Sequence, residues 1–145
     1  MSERAKTPRP LPKINRYTDT KPFWDAAQDQ RLLLQYCTDT GQAQWFPRSV
    51  SLQTGRRHLE WRQASGNGTV YSFTITYRAW PGHEDRVPYI VALVELPEGV
   101  RILTNLLHCK PEDVRIGLPV TVCWERLSDE INYPAFEPAR PRPAL

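Results

Sequence analysis

The sequence predicts a mainly β fold with one short N-terminal helix. Three observations carry that reading. From His58 onward the chain is written in short β-branched and aromatic runs, separated by turn residues. Fourteen prolines against seven glycines leave little room for long helices, because proline removes a backbone donor. A length of 145 residues, 40% of them apolar, suffices for one domain with a real core.

The elements follow in order. Phe23, Trp24, Ala27, Leu32 and Leu34 recur at mixed helical spacing. Asp25 is read in a first turn, where an acid suits the helix dipole. That predicts a helix at about 22–30. Arg31–Tyr36 then reads as extended. Residues 37–57, rich in Thr, Ser, Gly and Gln, read as two turns around a short aromatic hairpin at Gln44–Phe46. Leu59–Arg62 alternates, and Ser65-Gly66-Asn67-Gly68 is a turn. Thr69–Trp80 is the clearest strand. Tyr89–Leu96 and Val100–His108 flank the turn Pro97-Glu98-Gly99 as a hairpin. Cys109–Gly117 is a polar crossover. Pro119–Arg126 alternates as a half-buried strand, and Ile131–Phe136 closes the body after a turn at Asp129-Glu130. About five strands with a polar connection between the third and fourth suit a small Greek-key barrel of the oligonucleotide/oligosaccharide-binding (OB) type. An SH3-like barrel or half of a sandwich suits the strand count too.

Charge divides along the chain. The whole carries +3, which taken alone points to an anionic partner. Residues 1–22 are net +4 and residues 134–145 net +1, and each holds four prolines. Both ends read as extended or disordered. The body between them is net −2. No apolar run approaches the roughly 20 residues of a membrane span. The start, MSERAKTPRPLPK, lacks the apolar stretch of a secretory signal. Cys37, Cys109 and Cys123 are odd in number and widely spaced, which favours a reducing, cytoplasmic setting.

The order of certain residues resembles a known family. Pro22-Phe23-Trp24 opens the helix, and Leu34-Gln35-Tyr36-Cys37 enters a ribbon with Gly41 after its first knuckle. Pro47-Arg48 lies between the knuckles and Gly55 follows the second. Leu59-Glu60-Trp61, the run Ser65–Ser72, Pro88-Tyr89, the Val94–Val100 turn and Ile116-Gly117 come next. This order is similar to the acyl-CoA-associated family built from an N-terminal helix, a rubredoxin-like zinc ribbon and an OB-fold. That family was long catalogued as a domain of unknown function. The resemblance covers about 22–137. It implies helix and ribbon at 22–57 and an OB-fold at 58–137, and composition adds an extended basic tail at 1–21 and a proline-rich tail at 138–145.

The family's two C-x-x-C knuckles hold zinc with four thiolates. Here only Cys37 remains, and Thr40, Ser51 and Thr54 stand at the other ligand positions. Hydroxyls are poor ligands for structural zinc, so no metal is expected. Zinc held by Cys37 with His58 and outside ligands lacks the ligand count. A metal-free ribbon must persist by packing, with Trp45 and Phe46 as candidates.

Period two would place Tyr71, Phe73, Ile75 and Tyr77 on one strand face. As barrel core they need no ligand; as exposed rings they would stack on bases. The scattered arginines of a net acidic body favour the core reading. Catalysis needs a base beside a thiol or hydroxyl. His108 and Cys109 are adjacent, and within a strand they would point to opposite faces. Cys37 and Cys123 read as small buried residues, and no phosphate-binding glycine loop is present.

The resemblance implies a non-catalytic accessory subunit of a thiolase-like or aldolase-like acyl-CoA enzyme, as a homodimer or hetero-oligomer. It implies that Tyr71, Ser72, Thr74 and Tyr89 face an acyl-CoA or the partner's active site. Arg48, Arg56 and Arg57 would meet coenzyme A phosphates. Phe23 and Trp24 would be exposed anchors for the partner. The alternative is a single-stranded nucleic-acid binder whose basic tails wrap phosphates.

Overall fold

The computed structural model describes residues 7–14 and 19–141. The helix α1 spans Lys21–Gln28, with Pro22 at its start, where a missing N–H costs nothing. Asp25 therefore lies beyond the first turn, and it pairs with Lys21 four residues back.

Strand β1 (Leu33–Cys37) is the centre of a three-stranded antiparallel sheet, flanked by β2 (Ala43–Gln44) and β3 (Leu59–Gln63). Its register sets Gln35 against both Gln44 and Trp61. The strand expected to open the barrel thus closes the ribbon instead. The expected aromatic hairpin at 44–46 is replaced by two residues, Ala43 and Gln44, paired to β1.

The barrel is built from β4 (Asn67–Thr76), β5 (Tyr89–Glu95), β6 (Arg101–Leu106), β7 (Pro119–Arg126) and β8 (Asn132–Pro138). Its strand order is β4-β5-β6-β8-β7, closed by β4 on β7. The β6–β8 contact is parallel, at Leu106 and Phe136. A closed five-stranded barrel in this order is the OB-fold. Closure explains why Gly68 has no side chain. A Cβ there would meet Val94 Cγ1 at 2.5 Å and the Glu95 carbonyl at 3.0 Å.

A bulge between Val70 and Ser72 breaks the alternation of β4, which re-aims the side chains beyond it. Val70 is buried before the bulge, and Phe73 and Ile75 pack against the core after it. Tyr71 is left outside, with the Arg101 guanidinium 3.6 Å from its ring centre. The expected aromatic face is therefore not one core face. The strand also ends at Thr76, leaving Tyr77 and Trp80 exposed, the latter at 84%.

One apolar core runs through both parts. Val70, Ile90, Val94, Ile102, Leu106, Val120 and Phe136 fill the barrel, and Leu32, Leu34 and Phe23 continue the same cluster into ribbon and helix. Asn132, buried on β8, donates from Nδ2 to the Ala27 carbonyl at 2.7 Å and ties the helix down. Two of the C-terminal prolines, Pro134 and Pro138, lie inside β8 and pair with β7. They are tolerated because β8 meets β6 at a single residue pair, so few donors are needed on that side. The expected N-terminal tail covers residues 1–6 and 15–18, which lie outside the described residues.

Candidate functional site

The ribbon keeps its two knuckles. In the first, the Gly41 N–H donates to the Cys37 carbonyl at 2.7 Å and the Cys37 N–H to the Gln42 carbonyl at 2.9 Å. The second repeats this: Gly55 to Ser51 and Ser51 to Arg56, both at 2.8 Å. Gly41 and Gly55 both take φ near +70°, at 73° and 71°, a region only glycine enters freely. The four ligand positions thus sit on metal-site backbone with one thiol and three hydroxyls. That donor set does not fit structural zinc. The hydroxyls act on the thiol instead. Ser51 first, then Thr40, pull Cys37 down to about 7 against the opposing effect of burial. The Ser51 hydroxyl also lies 3.1 Å from the Gln53 amide oxygen, so its one proton serves two acceptors.

Two buried glutamines hold the loop between the knuckles. Gln44 Nε2 donates to Gln35 Oε1 at 2.9 Å and to the Val50 carbonyl at 3.2 Å. Gln35 Nε2 donates to the Arg48 carbonyl at 2.9 Å, and its oxygen accepts from the Arg48 N–H at 2.8 Å. The Leu52 N–H donates to Gln44 Oε1 at 3.0 Å. Each amide spans strand and loop, the task that zinc performs in a four-thiolate ribbon. Of the two aromatics expected to do this, Trp45 packs edge-on against Phe23 at 5.3 Å, whereas Phe46 is 60% exposed.

A second feature lies on the barrel. Residues 7–14 run across it as an arm. The Thr7 N–H and hydroxyl donate to the Asp85 carboxylate at 2.6 and 3.0 Å, and Arg86 Nη1 donates to the Thr7 carbonyl at 2.6 Å. The Thr7 N–H holds the Asp85 carboxyl below its usual range. Arg9 bonds Glu125 at 2.8 Å and Asn105 at 3.2 Å. Its guanidinium lies 5.4 Å from the centre of the Tyr133 ring. Between arm and barrel lies a cleft of about 470 Å³. Trp80, Tyr89, Ile90 and Leu106 wall it mainly with apolar groups, and Arg9 and Arg86 stand at its rim.

The structure divides the residues expected to bind ligand between the ribbon and the outer face of β4 and β5, where Ser72, Thr74 and Tyr89 are exposed. Only Tyr89 lines this cleft. Ser72 and Thr74 are exposed on β4, as is Tyr71, with Arg101 against its ring. Arg48, Arg56 and Arg57 are exposed in the ribbon. Phe23, expected as an exposed anchor, is 4% exposed and belongs to the core; the helix needs its ring against Trp24 and Trp45. Trp24 keeps a partly exposed edge, which lines a second cleft of about 820 Å³ beside Leu11 and Ile14. The arm contacts had no sequence signal, since Arg9 and Glu125 lie 116 positions apart. No thiol is a ready nucleophile. Cys37 is fully buried. Burial, reinforced by nearby acids, raises Cys109 and pushes Cys123 up to about 11.

Helix, ribbon and barrel together match known proteins. Residues 24–50 match the family described as ChsH2, rubredoxin-like zinc ribbon domain, and residues 61–125 match ChsH2, C-terminal OB-fold domain. A solved structure titled Ltp2-ChsH2(DUF35) aldolase is similar over 88% of this chain and 98% of that one, at 35% identity and a TM-score of 0.77. The chain belongs to the ChsH2/DUF35 family. A probable enoyl-CoA hydratase alpha subunit of Thermomonospora curvata is 35% identical over 97% of this chain, which spans 43% of that subunit. The 3-oxo-4,17-pregnadiene-20-carboxyl-CoA hydratase alpha subunit of Mycobacterium tuberculosis is 36% identical over 83% of this chain, which spans 38% of it. This ChsH2/DUF35 chain therefore corresponds to less than half of either hydratase subunit. Among its described residues no helix is long and apolar enough to cross a membrane.

Proposed function

We propose that the chain is a non-catalytic accessory subunit that binds an acyl-CoA thioester and helps form the substrate channel of an aldolase-like or thiolase-like partner. The observation that carries the reading is the cleft beneath the N-terminal arm. Its apolar wall suits an acyl group, and Arg86 in its lining suits phosphate, Arg9 being paired with Glu125. Relatives named as hydratase alpha subunits and an aldolase complex support the setting. The ribbon, its loop bonded by Gln35 and Gln44, would offer its shape to a partner. Trp24, at the edge of the second cleft, is the anchor left to the helix.

Calorimetric titration of the full chain with an acyl-CoA thioester tests this, alongside the Trp80→Ala variant and a labelled oligonucleotide at low and high salt. The expected result is thioester binding that Trp80→Ala weakens. Adding the chain to its partner, recovered by pull-down from the native cell, should raise thioester turnover. Turnover by the chain alone would contradict the proposal. So would oligonucleotide binding that falls steeply with salt while the thioester leaves no heat.

A further inference from the structure

The ribbon has lost its metal ligands, yet three ligating side chains converge elsewhere. His108, Cys123 and Glu137 each offer one atom, and these atoms all lie within 4.8 Å of one another. We propose that His108, Cys123 and Glu137 form a zinc-class metal site on the outside of the barrel, distinct from the ribbon.

Two strands and the turn after a third bring the ligands together. Cys123 on β7 pairs with Ala135 on β8, and Thr121 pairs with Glu137. Residues two apart share a sheet face, so Cys123 and Glu137 are diagonal neighbours on one face. The parallel contact of Leu106 with Phe136, extended by the Leu107 N–H to the Phe136 carbonyl at 2.8 Å, sets the end of β6 beside them. His108 follows immediately. Its backbone is left-handed, at φ 52°, and its Nδ1 lies 2.5 Å from Glu137 Oε2. Left-handed backbone is uncommon outside glycine, and here it turns the imidazole back over the sheet.

The donor set names the metal class. Sulfur with imidazole disfavours magnesium and calcium, which take oxygen ligands. One thiolate, one imidazole and one carboxylate suit zinc and leave a fourth, open position for water. Thiolate and carboxylate together balance the dication, and binding releases the thiol proton to solvent. The site would staple β6, β7 and β8 at the corner where β8 has its single pairing with β6. None of the four knuckle positions takes part, so a metal-free ribbon and a metal-holding barrel are compatible.

The test uses the full chain, stripped with a chelator and titrated with Co²⁺ and then Zn²⁺. The expected result is one equivalent of Co²⁺ with a thiolate charge-transfer absorption, displaced by Zn²⁺. Cys123→Ser should abolish that absorption. His108→Asn, at an exposed position, and Glu137→Gln, at a half-buried one, should weaken Zn²⁺ at least by the roughly 10–100-fold that loss of an outer-sphere partner costs. Cys37→Ser should bind as the parent does. Circular dichroism of each variant separates lost binding from lost fold. Absence of the absorption in the parent would overturn the proposal. Its loss in Cys37→Ser, or full binding by folded His108→Asn and Glu137→Gln, would do the same.

Discussion

Ribbon and barrel occupy one continuous core, yet they are held in different ways. The barrel is closed by strand pairing around Val94, Val120 and Phe136, all almost fully buried. The ribbon has too little apolar volume for that, and its buried centre is polar: Gln35, Gln44 and Ser51. Small domains of this kind rely on a metal or another staple. Here the staple is a pair of side-chain amides bonded to each other and to the backbone of the intervening loop. A knuckle backbone whose ligand positions carry hydroxyls can thus have its loop groups bonded by side-chain amides.

The largest effect is expected in the barrel. Phe136→Ala should cost about 3–5 kcal/mol in urea unfolding, as truncation of a buried aromatic does, and ribbon and barrel should unfold together through their shared core. Next comes Gln44→Ala. It strands the Leu52 N–H and one Gln35 oxygen contact and should cost roughly 1–3 kcal/mol. Hydrogen exchange should show the loss at Arg48 and Leu52 while β5 stays protected. Equal loss in both parts would erase the distinction between them.

Smaller effects depend on pH. Cys37 is lowered in the fold to about 7 from an ordinary value of 9.0. A lowered acid stabilises the folded state above its unfolded value, and that contribution is lost as pH falls through the folded one. Ribbon stability should therefore rise across this window, and Cys37→Ser should flatten the rise. The smallest effect concerns the arm. Asp85 is held below its ordinary value of 3.8 by Thr7. The Asp85–Thr7 contribution is present above that value and fades as pH falls through the lowered one. Asp85→Asn should speed exchange at the Thr7 amide at neutral pH and leave the barrel unchanged.

Much of the fold was legible. Glycine, proline and β-branched runs marked helix, knuckles and barrel strands to within a few residues, because local chemistry decides turns and alternation. The site was less legible. The Val70/Ser72 bulge took Tyr71 off the face it was expected to share with Phe73 and Ile75, and nothing in TVYSFTIT announces an extra residue. Phe23 looked like an anchor because a short helix leaves one face free, but the ribbon's Trp45 covers it. Arg9 looked like part of a solvated tail, since its partners Asn105 and Glu125 are near only after folding. Gln35 and Gln44 carried no signal at all, because a buried glutamine and an exposed one read alike.

Central to the account is a ribbon that stays folded without metal and so remains available to a partner. Hydrogen exchange of the ribbon amides before and after chelation tests it most directly. Protection at Arg48 and Leu52 should be the same in both samples and should fall in Gln44→Ala. Protection that collapses on chelation in the Cys123→Ser variant, which lacks the proposed barrel site, would contradict the account.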